Sequence, residues 1–337
     1  MMRTSKKSDK KLTILQLLGA SAQPLTGLKI TQALAERGHK FSERTVRFYL
    51  QLLDEEGLTE AIGKKGRVIT RRGRTELEGV SVLKRVGYMS AKIDQLTFQM
   101  NFDLALRTGT VVVNVAVLPA DLLRRYTTAI CEVFERGYSM GTLVGLVPAG
   151  HRVGEMEVPG GMVGFCTVCS ITLNGVLLKH GVPTRSLFSG LLQLQDGEPE
   201  GFAEVINYDG TTVDPLQLFI RGRMTDYDGA VKTGTGRIGA GFREVPAESY
   251  ELVMGLTEKL TRIGLGGFLT VGRPSQPVLN IPVNEGCSGA IVIGGLNPVA
   301  RLEESGEIIQ ARALAGLMEY NTLFHYEELP RRLRELR

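Results

Sequence analysis

Hydrophobic positions along this chain recur with a helical period up to about residue 80 and with a mixed, glycine-punctuated period after it. In the first stretch Leu12, Leu15 and Leu18 predict a short helix over 12–18. Ile30, Ala33 and Leu34 predict a second over 26–37, placed after Pro24 and stopped at Gly38. Ser42 is positioned to N-cap a third, over 43–56, which Gly57 ends. Val46, Tyr49, Leu50 and Leu53 stand at i, i+3, i+4 and i+7, the spacing of a buried stripe. The opposite face carries Arg44, Arg47, Phe48 and Gln51. Residues 58–62 and 67–70, joined by Gly63-Lys64-Lys65-Gly66, then read as a β-hairpin with a basic tip. Three helices followed by a basic hairpin describe a winged helix-turn-helix.

After residue 80 the chain echoes itself. Pro119-Ala120 opens an amphipathic helix over 121–136 that ends at Gly137. Pro246-Ala247 opens another over 248–263 that ends at Gly264. An apolar strand follows each, at 141–148 and 267–274. A strand at 163–172 runs into Leu173-Asn174-Gly175-Val176, and one at 290–295 runs into Leu296-Asn297-Pro298-Val299. Helical segments at 177–180 and 300–305 come next. The expected fold class is therefore mixed, α+β/α/β. A winged helix spans 1–79, and a second, internally duplicated α/β domain spans 80–337, with halves at about 110–225 and 235–325. Such a pair of halves leaves a cleft of the kind that takes small ligands; it equally serves to enlarge a core or build a dimer surface.

Composition adds a division of charge. A length of 337 residues suits about two domains, and the net charge of +4 is modest. Residues 1–80 hold 16 basic against 9 acidic residues, +7, while the rest hold 24 against 27, −3. Lys6, Lys7, Lys10 and Lys11 read as a solvated basic tail, but the remaining basic residues of the first domain lie within its pattern. A polyanion is the partner such asymmetry points to. Double-stranded DNA is preferred over RNA or a protein partner because the exposed face of the third helix is basic. Ser42, Arg44, Thr45 and Arg47, with Phe48 on the same face, are placed for base edges, and Lys64, Lys65 and Arg67 for phosphates. The run Val111–Val117 is interrupted by Asn114 and stopped by Pro119, so no membrane span is expected. No apolar stretch follows the basic start as a secretory signal would require, and a cytoplasmic location with free thiols is the expectation for four cysteines.

Catalytic chemistry finds little support. Cys166-Thr-Val-Cys169 is a single CxxC in a strand pattern, without a second ligand pair, so no metal is expected. Cys131 falls in a helix pattern and Cys287 in a glycine-rich turn. Gly234-Thr-Gly236-Arg-Ile-Gly239 matches GxGxxG but lacks a preceding strand, and reads as a flexible or tight turn. Of the four histidines, His39 lies in the winged helix and His325 near the C-terminus, while His151 and His180 have no spaced carboxylate or cysteine partner. The chain is expected not to be an enzyme and to have no catalytic residues and no cofactor. Polar residues do collect where a ligand is expected. Cys169, Ser170, Thr172 and Asn174 stand where a strand passes into a helix, Thr211 and Thr212 precede Asp214 and the apolar segment 216–220, and Arg221 and Arg243 supply positive charge. Arginine with hydroxyls and free N–H groups suits a carboxylate, whereas the same residues also serve as caps and loop pins.

Several segments together resemble the NrpR-type nitrogen repressors of archaea: Thr167-Val-Cys-Ser-Ile-Thr-Leu-Asn-Gly-Val-Leu-Leu-Lys179, Tyr208-Asp-Gly-Thr-Thr-Val-Asp-Pro215, Phe242-Arg-Glu-Val-Pro246, Gly294-Gly-Leu-Asn-Pro298 and, in the winged helix, Thr45-Val-Arg-Phe-Tyr-Leu-Gln-Leu-Leu-Asp-Glu-Glu-Gly-Leu58. The resemblance covers roughly 11–325. It implies a transcriptional repressor of nitrogen-assimilation genes that binds inverted-repeat operator DNA as a homo-oligomer, at least a dimer. It implies release by 2-oxoglutarate bound to the regulatory domain, with Cys169 the first choice of contact. Some members carry two regulatory domains where this chain has one, which raises a second NrpR-type protein as a partner. The competing reading is an enzyme acting on a small carboxylic acid, with the winged helix as an accessory.

Overall fold

Capping decides where the first helices start. Thr26 accepts a bond from the Lys29 amide and opens α2 (Gly27–Glu36), and Ser42 accepts one from Thr45 and opens α3 (Glu43–Glu55). They follow α1 (Arg3–Ala20), which is longer than its apolar stripe alone predicted. These elements come from a computed structural model that describes residues 3–21, 23–39, 41–83 and 88–335. The expected basic tail is the opening of α1: Lys11 pairs with Glu56, and Lys10 lies 5.6 Å from the centre of the Phe41 ring. The side chains of Lys6 and Lys7 lie outside the described residues.

β1 (Thr59–Ala61) and β2 (Arg67–Ile69) form the antiparallel wing. Gly66, at φ +118°, closes it: a Cβ there would lie 2.3 Å from the Leu25 carbonyl. Leu25 and Arg67 exchange backbone bonds of 3.0 and 2.9 Å, which fasten the wing to the strand-like turn before α2. Ile14, Leu18, Ile30, Leu34, Val46, Leu50, Leu53 and Ile69 form the core. α4 (Arg71–Leu83) runs through residue 80, where a domain boundary was expected. The chain divides into two units, Met1–Val86 and Gly87–Arg337.

The second unit opens with α5 (Tyr88–Gln99). Then come β3 (Thr110–Pro119), α6 (Ala120–Glu135), β4 (Leu143–Val147), a small hairpin of β5 (Arg152–Val153) and β6 (Met156–Glu157), β7 (Met162–Val168), α7 (Ile171–Lys179), β8 (Arg185–Gln195) and β9 (Glu198–Asn207). α8 (Pro215–Arg221) and α9 (Tyr227–Thr233) lead to β10 (Gly236–Pro246), α10 (Tyr250–Arg262), β11 (Phe268–Val271), β12 (Cys287–Ile293), α11 (Asn297–Glu304), β13 (Gln310–Glu319), β14 (Phe324–His325) and α12 (Leu329–Glu335).

Two five-stranded sheets result, in the orders β13-β3-β7-β4-β14 and β9-β8-β10-β12-β11. The order strand, helix, strand, strand, helix, strand occurs in both stretches. The final strand of each, however, crosses over: β8 pairs with β10, and β13 pairs with β3. Neither sheet is therefore confined to 110–225 or to 235–325. Val113, Val115 and Val168 of one sheet share a core with Leu192, Ile238, Ala240 and Ile291 of the other.

All these pairings are antiparallel, so the expected α/β layering is an α+β arrangement. The sheets have no common carboxyl end at which ligands collect. The strand at 163–172 stops at Val168, because Thr172 and Asn174 lie in α7, which starts six residues before the helix expected at 177. Segment 216–220 is helix α8, with Asp214 as N-cap and Pro215 in the first turn. The GxGxxG segment opens with a tight turn rather than a flexible one: Gly234 (φ +79°) ends α9, and Gly236 begins β10.

Candidate functional site

Two sets of residues carry functional chemistry, one in each unit. In the first unit, Arg44, Arg47 and Phe48 lie exposed on α3. Arg47 reaches back to Glu43 at 2.6 Å, an exposed i,i+4 pair that a phosphate or base can displace at small cost. Arg44 has no ion pair among the described residues. Phe48 packs its edge on Tyr49 with ring centres 5.3 Å apart. Ser42 and Thr45 are joined hydroxyl to hydroxyl at 2.8 Å and hold the start of α3. Lys64 and Lys65 stand exposed at the wing turn. Arg67 differs: its Nε donates to Asp54 at 2.7 Å, so its guanidinium ties β2 to α3 within the fold.

In the second unit the sequence candidates split. Arg243, only 1% exposed, is among the largest fully buried side chains. Its Nε donates to Asn174 Oδ1 and its Nη2 to Ser170 Oγ, both at 3.1 Å, and its Nη1 lies 3.5 Å from the Phe242 carbonyl. Every acceptor is neutral, and no carboxylate pairs with Arg243 among the described residues. A buried guanidinium is costly unless an anion balances it. Gly241 makes room for it, since a Cβ there would lie 2.9 Å from Nη1.

Beside Arg243 is a crevice lined by Asn114, Cys169, Ser170, Tyr208, Asp214, Gly295 and Leu314. Ser170 sits at the N-cap of α7 but makes no capping bond, so the positive end of that helix is unshielded there. Asn114 accepts from the Leu314 amide at 3.2 Å. Leu314, at φ +46°, lies within the irregular stretch of β13 pairing between Arg312 and Gly316. Gly295 closes the far wall: a Cβ would lie 2.1 Å from the Val168 carbonyl. Tyr208 and Ser189 join hydroxyls.

Burial dominates the protonation states. It pushes the Cys169 thiol up to about 11 and the Tyr208 phenol up to about 12, so both stay neutral at pH 7. A thiol held so high is no nucleophile. Burial also raises the Asp214 carboxyl to about 6, against backbone hydrogen bonds and the charges of Arg243 and Lys92, which lower it.

Four of the predicted effector residues, Cys169, Ser170, Asn174 and Arg243, thus meet. Thr172 does not face the crevice: its hydroxyl exchanges bonds of 3.1 Å with both the N–H and the C=O of Val112. Thr172→Val is expected to destabilise the fold by about 1–2 kcal/mol, since it orphans the buried Val112 amide while the Val112 carbonyl keeps its bond from the Cys169 amide at 2.8 Å; urea unfolding checks this, and an unchanged midpoint would reopen a ligand role. Thr211 closes a turn on Val213, Thr212 is partly buried in the same loop, and Arg221 is exposed near the Ala311 carbonyl. Asn114, Ser189, Tyr208 and Asp214 were missed as site residues. Asp214 had a readable signal, an N-cap residue directly before proline.

A larger pocket of about 540 Å³ is lined by Asp94, Asp209, Glu244 and Arg185 among others. Its charge is mainly acidic, which disfavours an anion. Glu244 there is held by the amide and side chain of Asn284 at 2.8–3.1 Å.

Residues 86–325 match the family of NrpR regulatory domains NRD1 and 2, and residues 12–77 match the ribonuclease R winged-helix domain. The chain is 31% identical to the global nitrogen regulator NrpRI of Methanosarcina mazei, over 93% of this chain and 97% of that one. It is also 31% identical to the global nitrogen regulator NrpR of Methanocaldococcus jannaschii, over 96% of this chain but 56% of that longer one. The fold matches the crystal structure of a nitrogen repressor-like protein from Methanococcus jannaschii, with TM-score 0.60 and 24% identity, over 70% of this chain and 97% of that one.

Proposed function

This chain belongs to the NrpR family of global nitrogen regulators, and from that premise we propose that it represses nitrogen-assimilation genes and leaves its operator when 2-oxoglutarate binds the second unit. The observation that carries the effector reading is Arg243, a buried cation with only neutral acceptors beside a crevice. A carboxylate supplies the missing anion. Two strands, β8 and β13, cross between the two stretches, and we read the repeated order of elements as two related halves. The crevice has a volume of about 10 Å³, room for about one water molecule. Binding must therefore part its walls, which gives the ligand its preference for one arrangement, without which it shifts nothing.

At the DNA end, Arg44 and Arg47 read bases while Lys64 and Lys65 hold phosphates. A homodimer presents two such helices to half-sites one helical turn apart, so a change in their spacing costs contacts. No helix among the described residues is long and apolar enough to cross a membrane.

The test is binding of the whole protein to DNA selected from a random pool, with 2-oxoglutarate or glutamate added. Release by 2-oxoglutarate alone, and an inverted repeat in the selected DNA, are expected. Lys64→Gln or Lys65→Gln should each reduce the salt slope of log K by about 0.9, and an unchanged slope would take the wing off the phosphates. Indifference to 2-oxoglutarate would remove the effector reading.

A further inference from the structure

Arg243 accounts for one end of a ligand in the crevice, and α5 supplies a candidate for the other. α5 packs on α7, on β13 and on the turn at Tyr208–Gly210, and all three contribute residues to the crevice wall. Met89 and Ile93 anchor it in the common core, and Ser90 donates to Asp209 at 2.6 Å. Lys92, between these anchors, is half-buried and within electrostatic reach of Arg312, Glu155, Cys169 and Asp214. It makes no ion pair and no hydrogen bond among the described residues. Arg312 instead pairs with Glu155 at 3.1 Å. Burial, and then the charge of Arg312, hold the Lys92 ammonium below the usual lysine range, as expected of a cation without its own anion.

We propose that Lys92 is the second cation of the crevice: the site takes a dianion that spans Arg243 and Lys92, and its binding clamps α5. This rests on the reading that the crevice binds a small acid, and it adds the charge class and the route of response. In the empty protein Asp214 feels the charge of both cations, while Glu155, already paired with Arg312, acts on Lys92 more strongly than Asp214 does. A dianion displaces that compromise by giving each cation its own partner. The consequence is mechanical as well, because α5 is the first element of the second unit along the chain. Drawing Lys92 onto a ligand carboxylate restrains the helix that follows directly on residues 84–87, the connection to the reader.

The probes are 2-oxoglutarate and 2-oxobutyrate, which share a 2-oxo acid head but differ in the distal carboxylate. Both are titrated calorimetrically into the whole protein and its Lys92→Gln and Lys92→Arg variants. Lys92→Gln is expected to weaken 2-oxoglutarate about tenfold, the size of one charge-assisted hydrogen bond, and to leave 2-oxobutyrate within about twofold. Lys92→Arg should restore most of the loss. Retained 2-oxobutyrate binding also reports that the variant is folded. Unchanged 2-oxoglutarate affinity, or an equal loss for both acids, overturns the assignment. If the wild-type protein binds neither acid, the crevice reading itself falls, an outcome distinct from the failure of Lys92. Amide hydrogen exchange across α5 should slow with 2-oxoglutarate in the wild type and not in Lys92→Gln; exchange that is unchanged in the wild type overturns the clamp.

Discussion

Replacing Arg243 with methionine is expected to weaken 2-oxoglutarate at least about 30-fold, because truncating one side of a buried, hydrogen-bonded charge pair commonly costs about 2–5 kcal/mol. The unliganded fold should tolerate the change. Methionine fills a similar volume, and the guanidinium it removes is a buried charge whose only close acceptors are neutral. The loss on the other side is small. Asn174 keeps its bond to Ser186 at 2.9 Å, and the freed oxygens of Asn174 and Ser170 cost about 1 kcal/mol each. Calorimetric titration and thermal unfolding together decide the matter. Wild-type affinity in Arg243→Met would remove the guanidinium from the site. A collapse of thermal stability would make it a structural cation instead.

The winged helix was legible because its signals are local. Ser42, Gly57 and the Gly63–Gly66 turn each act within a few residues, and α3 ends within one residue of its expected boundary. The period of Val46, Tyr49, Leu50 and Leu53 also fixed which face is buried. What α3 does with its polar residues was less readable, since Arg67 is claimed by Asp54 through folding that brings β2 to α3.

The second unit shows the opposite balance. The paired Pro-Ala starts of α6 and of the helical stretch leading into α10 were plain in the sequence. The crossing of β8 and β13 was not, because strand pairing depends on partners far along the chain. An apolar run is likewise ambiguous between a buried strand and a buried helix, which is how 216–220 hid α8. Arg243, Ser170 and Asn174 were placed near a ligand for their chemistry. Their meeting needs β10 and α7 to approach, a contact between residues 69 and 73 positions apart. Lys92 gave no local signal at all, since a lysine on a helix usually faces water.

Asp214 provides the second large effect, through pH. Its folded carboxyl titrates near 6 against an ordinary 3.8, with burial as the leading cause. The folded state therefore binds this proton more tightly than the unfolded chain does. The stabilising contribution is complete below about pH 4 and is lost as pH rises through about 6. Asp214→Asn keeps an oxygen to accept from the Gln217 amide, as the carboxylate does at 3.2 Å, but carries no charge. Relative to that variant, the wild type should lose about 2 kcal/mol of stability between pH 4 and pH 8. A dianion between Arg243 and Lys92 deepens the effect, because it takes their positive charge away from Asp214 and adds negative charge beside it. Ligand binding then raises the carboxyl further and draws a proton onto it near neutral pH. The affinity for 2-oxoglutarate should fall as pH rises from 6 to 8, by up to about tenfold per unit. Asp214→Asn should flatten that slope and bind more tightly than the wild type at pH 8. Calorimetry in buffers of differing ionisation enthalpy counts the proton directly: uptake approaching one in the wild type and near zero in Asp214→Asn is the expected pair. Equal uptake in the two proteins would show that the proton goes elsewhere and that Asp214 is no neighbour of the bound acid.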